Sequence, residues 1–135
     1  MSEDSTRPRR VTLALPLGPL AARSARRVLT EFLVAAKVPA DVIRDAALVL
    51  SELVTNSVDH GRGDNKNEIE VSWQLDANRL RLSVRDSGGG GVPVLKRVDA
   101  RAARGRGLAL VADLSSAWSV DQAHGTRVTA DLAMA

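Results

Sequence analysis

Two runs of strictly alternating residues, separated by Asp76-Ala77-Asn78, constrain this chain more than any other feature. In the first, Ile69, Val71, Trp73 and Leu75 alternate with Glu68, Glu70, Ser72 and Gln74. In the second, Leu80, Leu82 and Val84 alternate with Arg79, Arg81, Ser83 and Arg85. Successive side chains of a strand point to opposite faces, so each run has one apolar and one polar face, and the short polar break makes them a hairpin. Such a hairpin is stable only when its apolar face is covered. On its wet face the glutamates of one strand and the arginines of the other are charge-complementary.

The cover is legible on either side of the hairpin. A helical pattern runs over 20–37, with Val28, Phe32 and Ala35 on one side, Lys37 in the last turn and Pro39 as the stop. A second runs over 41–60, with Ile43, Ala46, Ala47, Leu50, Val54 and Val58 as its apolar stripe and Gly61 as a C-terminal cap. Val11, Leu13 and Leu15 alternate with Thr12 and Ala14 as a short first strand. After the hairpin, residues 87–106 read as irregular and 107–114 as a short helix. Two last strands follow at 117–121 and 126–132, joined by Gln122-Ala-His-Gly125. Helices segregated from strands that lie close in sequence predict an α+β fold. The expected form is a two-layer sandwich, a largely antiparallel sheet of about five strands with three helices on one face.

A chain of 135 residues, 44% apolar and 26% charged, fits one globular domain. The expected organisation is a flexible basic tail over 1–10 and a single domain over 11–135. No stretch is long and apolar enough to span a bilayer, and the polar start, MSEDSTRPRR, has no signal-like apolar core, so a cytoplasmic protein without membrane contact is expected. The absence of cysteine excludes disulfides, thiolate metal sites and cysteine nucleophiles, and two histidines do not make a common zinc site. The formal charge is only +3, the bases are mostly arginine, and aromatic residues are 2% of the chain. With so few stacking platforms and no groove-reading motif, nucleic acid is not an expected partner.

Three features fit poorly with a purely structural role. Glu52 and Asn56 stand one helical turn apart, opposite the apolar stripe, with Asp45 and Asp59 on the same side. A carboxylate and a carboxamide so placed can act as a general base beside a metal-ligand oxygen, although most such pairs are simply a solvated face. Asp86 extends the alternation of Leu80, Leu82 and Val84 and so points to the core side, where a carboxylate needs a partner or a ligand. If the strand ends sooner, Asp86 merely caps a turn. Thr126 alternates with Val128, Ala130 and Leu132 and faces inward too. The third feature is two glycine clusters, Asp86-Ser-Gly-Gly-Gly-Gly91 and Gly105-Arg-Gly107, with Gly107 opening a helix whose free N–H groups suit an anion. Neither cluster is a Walker loop or a dinucleotide fingerprint.

Together these motifs resemble the GHKL superfamily of ATPases and kinases. Glu52-Leu-Val-Thr-Asn56 resembles its N box, Asp86-Ser-Gly88-Gly-Gly90 its D-x-G-x-G box, Gly105-Arg-Gly107-Leu-Ala-Leu-Val111 its second glycine box, and Gly125-Thr126 its late Gly-Thr element. Within it the chain resembles the small bacterial anti-sigma-factor serine/threonine kinases. The resemblance implies that Asp86 receives the adenine amino group, with Gly88 and Gly90 beside the base, and that Thr126 holds a water between base and carboxylate. It implies Asn56 as the Mg²⁺ ligand and Glu52 as the catalytic base. It further implies that Gly105, Arg106, Gly107 and Leu108 cradle phosphates, and that residues 92–104 form a lid from which Lys96, Arg97 or Arg104 reaches the γ-phosphate.

The implied cofactors are ATP, or ADP, with Mg²⁺. The implied activity is transfer of the γ-phosphoryl group to a serine or threonine of an anti-anti-sigma partner of the STAS type, with a sigma factor as a second partner and a homodimer left open. The alternative is a module that binds ATP without catalysis and controls a regulator through its shape.

Overall fold

The computed structural model describes residues 9–60, 67–87 and 103–134, with the backbone alone for His60 and residues 103–108. Strand β1 (Arg9–Pro16) leads into helices α1 (Ala21–Ala35) and α2 (Ala40–His60). The hairpin β2 (Glu68–Leu75) and β3 (Arg79–Asp86) comes next, then helix α3 (Ala103–Leu114) and the strands β4 (Ala117–Asp121) and β5 (Thr126–Ala133). The five strands form one sheet in the order β1-β2-β3-β5-β4, every pair antiparallel. The predicted α+β sandwich is therefore the observed one. β5 inserts beside β3 and leaves β4 at the edge.

The sheet carries its residues in ranks that run across the strands. On the helix side Val11, Trp73, Leu82, Ala130 and Trp118 are register partners, and so are Leu13, Val71, Val84, Val128 and Val120. The side chains from β2, β3 and β5 in these ranks are buried beneath the helices. Trp73 is 1% exposed and meets the Phe32 ring edge to face at 5.9 Å, an arrangement favoured by the ring quadrupoles.

The helices bury broader faces than their sequence stripes suggest. In α1 the buried line is Ala21, Ala25, Leu29 and Leu33; Val28 and Phe32 flank it, and Ala35 is exposed. In α2 the core includes Val49 and Leu53 beside Ala46, Leu50 and Val54, while Ile43 and Val58 are only partly buried. The reason is packing on several sides, since α2 contacts α1, α3, β3 and β5. A stripe read from one helix assumes a single neighbour.

Lys37 lies beyond the last turn of α1 instead of within it. Its φ is +63°, Val38 N–H donates to the Leu33 carbonyl at 3.1 Å, and Lys37 N–H donates to that of Val34 at 3.0 Å. This is a Schellman cap closed without glycine, with Val38 buried in the core, and Pro39 then prevents continuation. Gly61, expected to cap α2, lies outside the described residues. β1 begins at Arg9, so Arg9 and Arg10 pair with Leu75 and Gln74 and extend the strand upstream of Val11.

Candidate functional site

The paired ends of β3 and β5 place the first site residues. Asp86 and Thr126 are register partners at the end of the β3–β5 ladder, one rung beyond Arg85 and Arg127. Both are buried, Asp86 to 7% exposure and Thr126 to 6%. β3 thus keeps its alternation through Asp86, and a carboxylate and a hydroxyl terminate the apolar side of the sheet where Val84 and Val128 end it. The turn that leads into Thr126 touches the same rung. Gly125 has φ +81°, and a Cβ there would stand 2.2 Å from the Asp86 carbonyl oxygen. Only glycine fits both the left-handed backbone and that approach.

Chain connectivity brings the other candidates to this end. α3 is followed directly by β4, whose Ala117 pairs with Asp131, and the intervening Ser116 N–H donates to the Asp131 carbonyl at 2.7 Å. The C-terminus of α3 is therefore at the end of β5 away from Thr126. A shallow crevice lined by Val42, Asp45, Leu114, Ser115, Leu132 and Ala133 joins it there to the N-terminal turns of α2. The two helices run antiparallel, so the C-terminal half of α2, with Glu52 and Asn56, and the first turns of α3 both lie toward Asp86 and Thr126. β2 starts at that end too, since Glu70 pairs with Arg85.

Glu52 and Asn56 are both half-buried, while Leu48 is 41% exposed on the preceding turn. Their face of α2 is sheltered but accessible, which a pair meant to meet a ligand requires. Asp45, on the same side, is half-buried with its carboxylate 4.0 Å from Arg44, and Asp59 is exposed.

α3 begins at Ala103, four residues before the position the glycine pattern indicates. Arg104, expected in the lid, is helical, and Gly107 is the fifth residue of the helix rather than its opening. Alanine and arginine are good helix formers, and two glycines in a helix already packed against α2 do not outweigh them. The free N–H groups are those of the first turn, which includes Gly105. The side chains of Arg104, Arg106 and Leu108 are not described. Gly88, Gly90, Lys96 and Arg97 lie outside the described residues.

What sequence reasoning missed is the opposite face of the sheet at the adjoining rung. Glu70, Arg85 and Arg127 stand in one rank, one rung from Asp86 and Thr126. Arg127 Nη2 donates to Glu70 Oε1 at 3.0 Å and Nη1 to Ser83 Oγ at 2.8 Å. Arg85 Nε lies 3.6 Å from the same Glu70 oxygen, an ion pair but not a hydrogen bond. The signal available in the sequence was the Glu–Arg complementarity of the hairpin. Its partner on β5 is invisible until the strands are ordered. Further along, Arg81 donates to Asp131 at 2.8 and 3.1 Å, and that hydrogen-bonded carboxylate raises the Arg81 pKa above its ordinary value.

Among the described residues no three acidic or histidine side chains cluster as a metal cage, and no helix is long and apolar enough to cross a membrane.

Comparison with known proteins identifies the family and the fold. Residues 15–132 match the model of a family described as the histidine kinase-like ATPase domain. No protein of curated description matches significantly. Among solved structures, one of the RsbU and RsbW domains of Rv1364c from Mycobacterium tuberculosis superimposes with a TM-score of 0.68 at 28% identity, over 94% of this chain. The chain spans about a third of that one, 32%. A structure of the SiaB–SiaC complex from Pseudomonas aeruginosa superimposes with a TM-score of 0.66 at 16% identity, over 97% of this chain and 93% of the other, and shares the fold.

Proposed function

The chain belongs to the histidine kinase-like ATPase domain family, and on that premise we propose that it is a regulatory serine/threonine protein kinase of the anti-sigma type. Its substrate is Mg-ATP, and its phosphoryl acceptor is a serine or threonine of an anti-anti-sigma partner. The observation that carries the reading is the buried Asp86–Thr126 rung. A carboxylate and a hydroxyl at the end of an apolar layer form a polar edge whose chemistry suits an adenine amino group and a water.

The residues divide the work. Asp86 accepts a hydrogen bond from the adenine amino group, and Thr126 holds the adjoining water, with Gly88 and Gly90 passing beside the base. Gly105 with Arg106, Gly107 and Leu108 borders the phosphates, where the first turn of α3 supplies N–H groups and the positive end of a helix dipole. Lys96, Arg97 and Arg104 are the cations from which a γ-phosphate contact is drawn.

Mg²⁺ fits the donors present. One carboxamide oxygen, from Asn56, suits an ion that keeps several waters and binds phosphate oxygens. When bound it supplies charge neutralisation at the phosphates. Glu52, one turn before Asn56, takes the proton of the acceptor hydroxyl. The hydroxyl oxygen then bonds to the γ-phosphorus, the bond from that phosphorus to the bridging oxygen breaks, and ADP leaves. The partner class rests on the resemblance to anti-sigma kinases and on the likeness to a structure described as containing an RsbW domain.

The test is incubation with γ-labelled ATP and candidate STAS-type proteins, alongside calorimetric titration with Mg-ATP. The expected outcome is label on a serine or threonine, lost in Glu52→Ala with binding retained. Asp86→Asn is expected to weaken Mg-ATP binding roughly 10- to 100-fold, the range for losing a charge-assisted hydrogen bond. Binding with no label on any acceptor would assign the chain to the alternative, a non-catalytic module whose ATP-bound shape controls its partner.

A further inference from the structure

We propose that Glu70 is a positioning residue for nucleotide binding, acting through the sheet from the face opposite Asp86 and Thr126. The inference rests on the function proposed above. Its register partner is Arg85, one residue before Asp86, and its second ion pair is with Arg127, one residue after Thr126. It holds the two residues that are their chain neighbours, Arg85 and Arg127.

Arg85 and Arg127 are direct register partners, and like charges so opposed push their strands apart. Both guanidinium groups converge on one oxygen, Glu70 Oε1, at 3.6 and 3.0 Å. Arg127 lies across β3 to reach it and leaves a second hydrogen bond on Ser83 at 2.8 Å, so one side chain straps β5 over β3 to β2. Arg85 Nη1 also reaches the His124 carbonyl at 3.4 Å, in the turn whose Gly125 abuts the Asp86 backbone. The strap therefore sets the spacing of β3 and β5 at the rung adjoining the carboxylate–hydroxyl pair. Removing the Glu70 charge leaves two opposed cations, with Asp121 of β4 beside Arg127 as the carboxylate remaining in the rank, at the point where adenine recognition needs two strands in fixed relation. A recess of about 160 Å³ lined by Thr12, Glu68, Glu70, Arg85 and Asp86 opens this rank to solvent, so dissolved salt can screen the repulsion.

Glu70→Gln keeps the volume and an acceptor and removes only the charge. Titrated with Mg-ATP at low salt, it is expected to bind about three- to tenfold more weakly than wild type, a change on the scale of one charged cross-strand pair. The ratio to wild type should shrink in 0.5 M salt, on the order of a Debye length below 5 Å, and Glu70→Gln/Arg85→Gln should bind better than Glu70→Gln alone. A merely structural contact would show neither rescue. Binding of Glu70→Gln equal to wild type, or a defect indifferent to salt and to Arg85→Gln, overturns the proposal. If wild type bound no Mg-ATP, the function proposed above would fail. The clamping of the β3–β5 rung by Glu70 would then be decided separately, by amide hydrogen exchange. Faster exchange in Glu70→Gln confined to Arg85, Thr126 and Arg127 would uphold it, and uniform acceleration through Leu82 and Ala130 would overturn it.

Discussion

The two faces of one sheet are governed by different physics. Toward the helices, register partners across the strands are apolar: Trp73, Leu82 and Ala130 in one rank, Val71, Val84 and Val128 in the next. Toward the open side, the rank between them is hydroxyl throughout, Thr12, Ser72, Ser83, Thr129 and Ser119, one residue from each strand. Charged ranks flank it, with Arg10, Arg81 and Asp131 on one side and Glu70, Arg85, Arg127 and Asp121 on the other. Cohesion comes from desolvation on the first face, where it scales with buried area. On the second it comes from hydrogen bonds and ion pairs between groups that water also satisfies, where the net gain is small. The contrast accounts for where the candidate site lies. Asp86 and Thr126 are the one place in the described β3–β5 ladder where polar chemistry crosses to the apolar face, at the end of the sheet where a ligand can complete the burial.

This contrast can be broken from either side, and the expected effects descend in size. Trp73→Ala removes the largest buried side chain and should lower the unfolding free energy by about 3–5 kcal/mol in urea titration, as large-to-small core changes do. A cost below about 1 kcal/mol would mean that the apolar rank is not where stability resides. Gly125→Ala forces a left-handed alanine against the Asp86 backbone and should cost about 1–3 kcal/mol. It should also weaken Mg-ATP binding, which calorimetry would read beside the unfolding curve.

On the open face, Asp131→Ala leaves Arg81 and Arg79 without the carboxylate that lies 2.8 and 3.7 Å from them. Asp131 is itself 8% exposed, but both arginines are substantially exposed, so the cost should be only about 1 kcal/mol. Ser72→Ala, in the middle of the hydroxyl rank, should change stability by less than about 0.5 kcal/mol. A loss above about 2 kcal/mol there would show that the open face is cohesive and the contrast false.

The alternation of the hairpin was enough to read both of its faces, because a strand's period is a local property of the chain. Alternation also points Asp86 and, on β5, Thr126 inward, but only the ladder, which continues through them, removes the reading in which Asp86 merely caps a turn. The Glu52/Asn56 spacing was equally local. The errors have a common cause. Glycine punctuates loops and so points to Gly107 as a helix start, yet packing against α2 carries α3 back to Ala103. The stripe of α2 omitted Val49 and Leu53, because burial on several sides depends on neighbours that the stripe does not encode.

By itself the amino-acid sequence determined which segments are strands and helices, which face of each strand is apolar, and which four short motifs mark the family. The first two follow from side-chain period and backbone preference, the third from resemblance to a known family. Only the tertiary structure decided that β5 lies between β3 and β4, and with it every relation that crosses strands: Asp86 beside Thr126, Gly125 against Asp86, Arg127 strapped over β3 to Glu70. Strand order is set by how the whole core closes, and contacts between residues 39 to 57 positions apart exist only once it has closed.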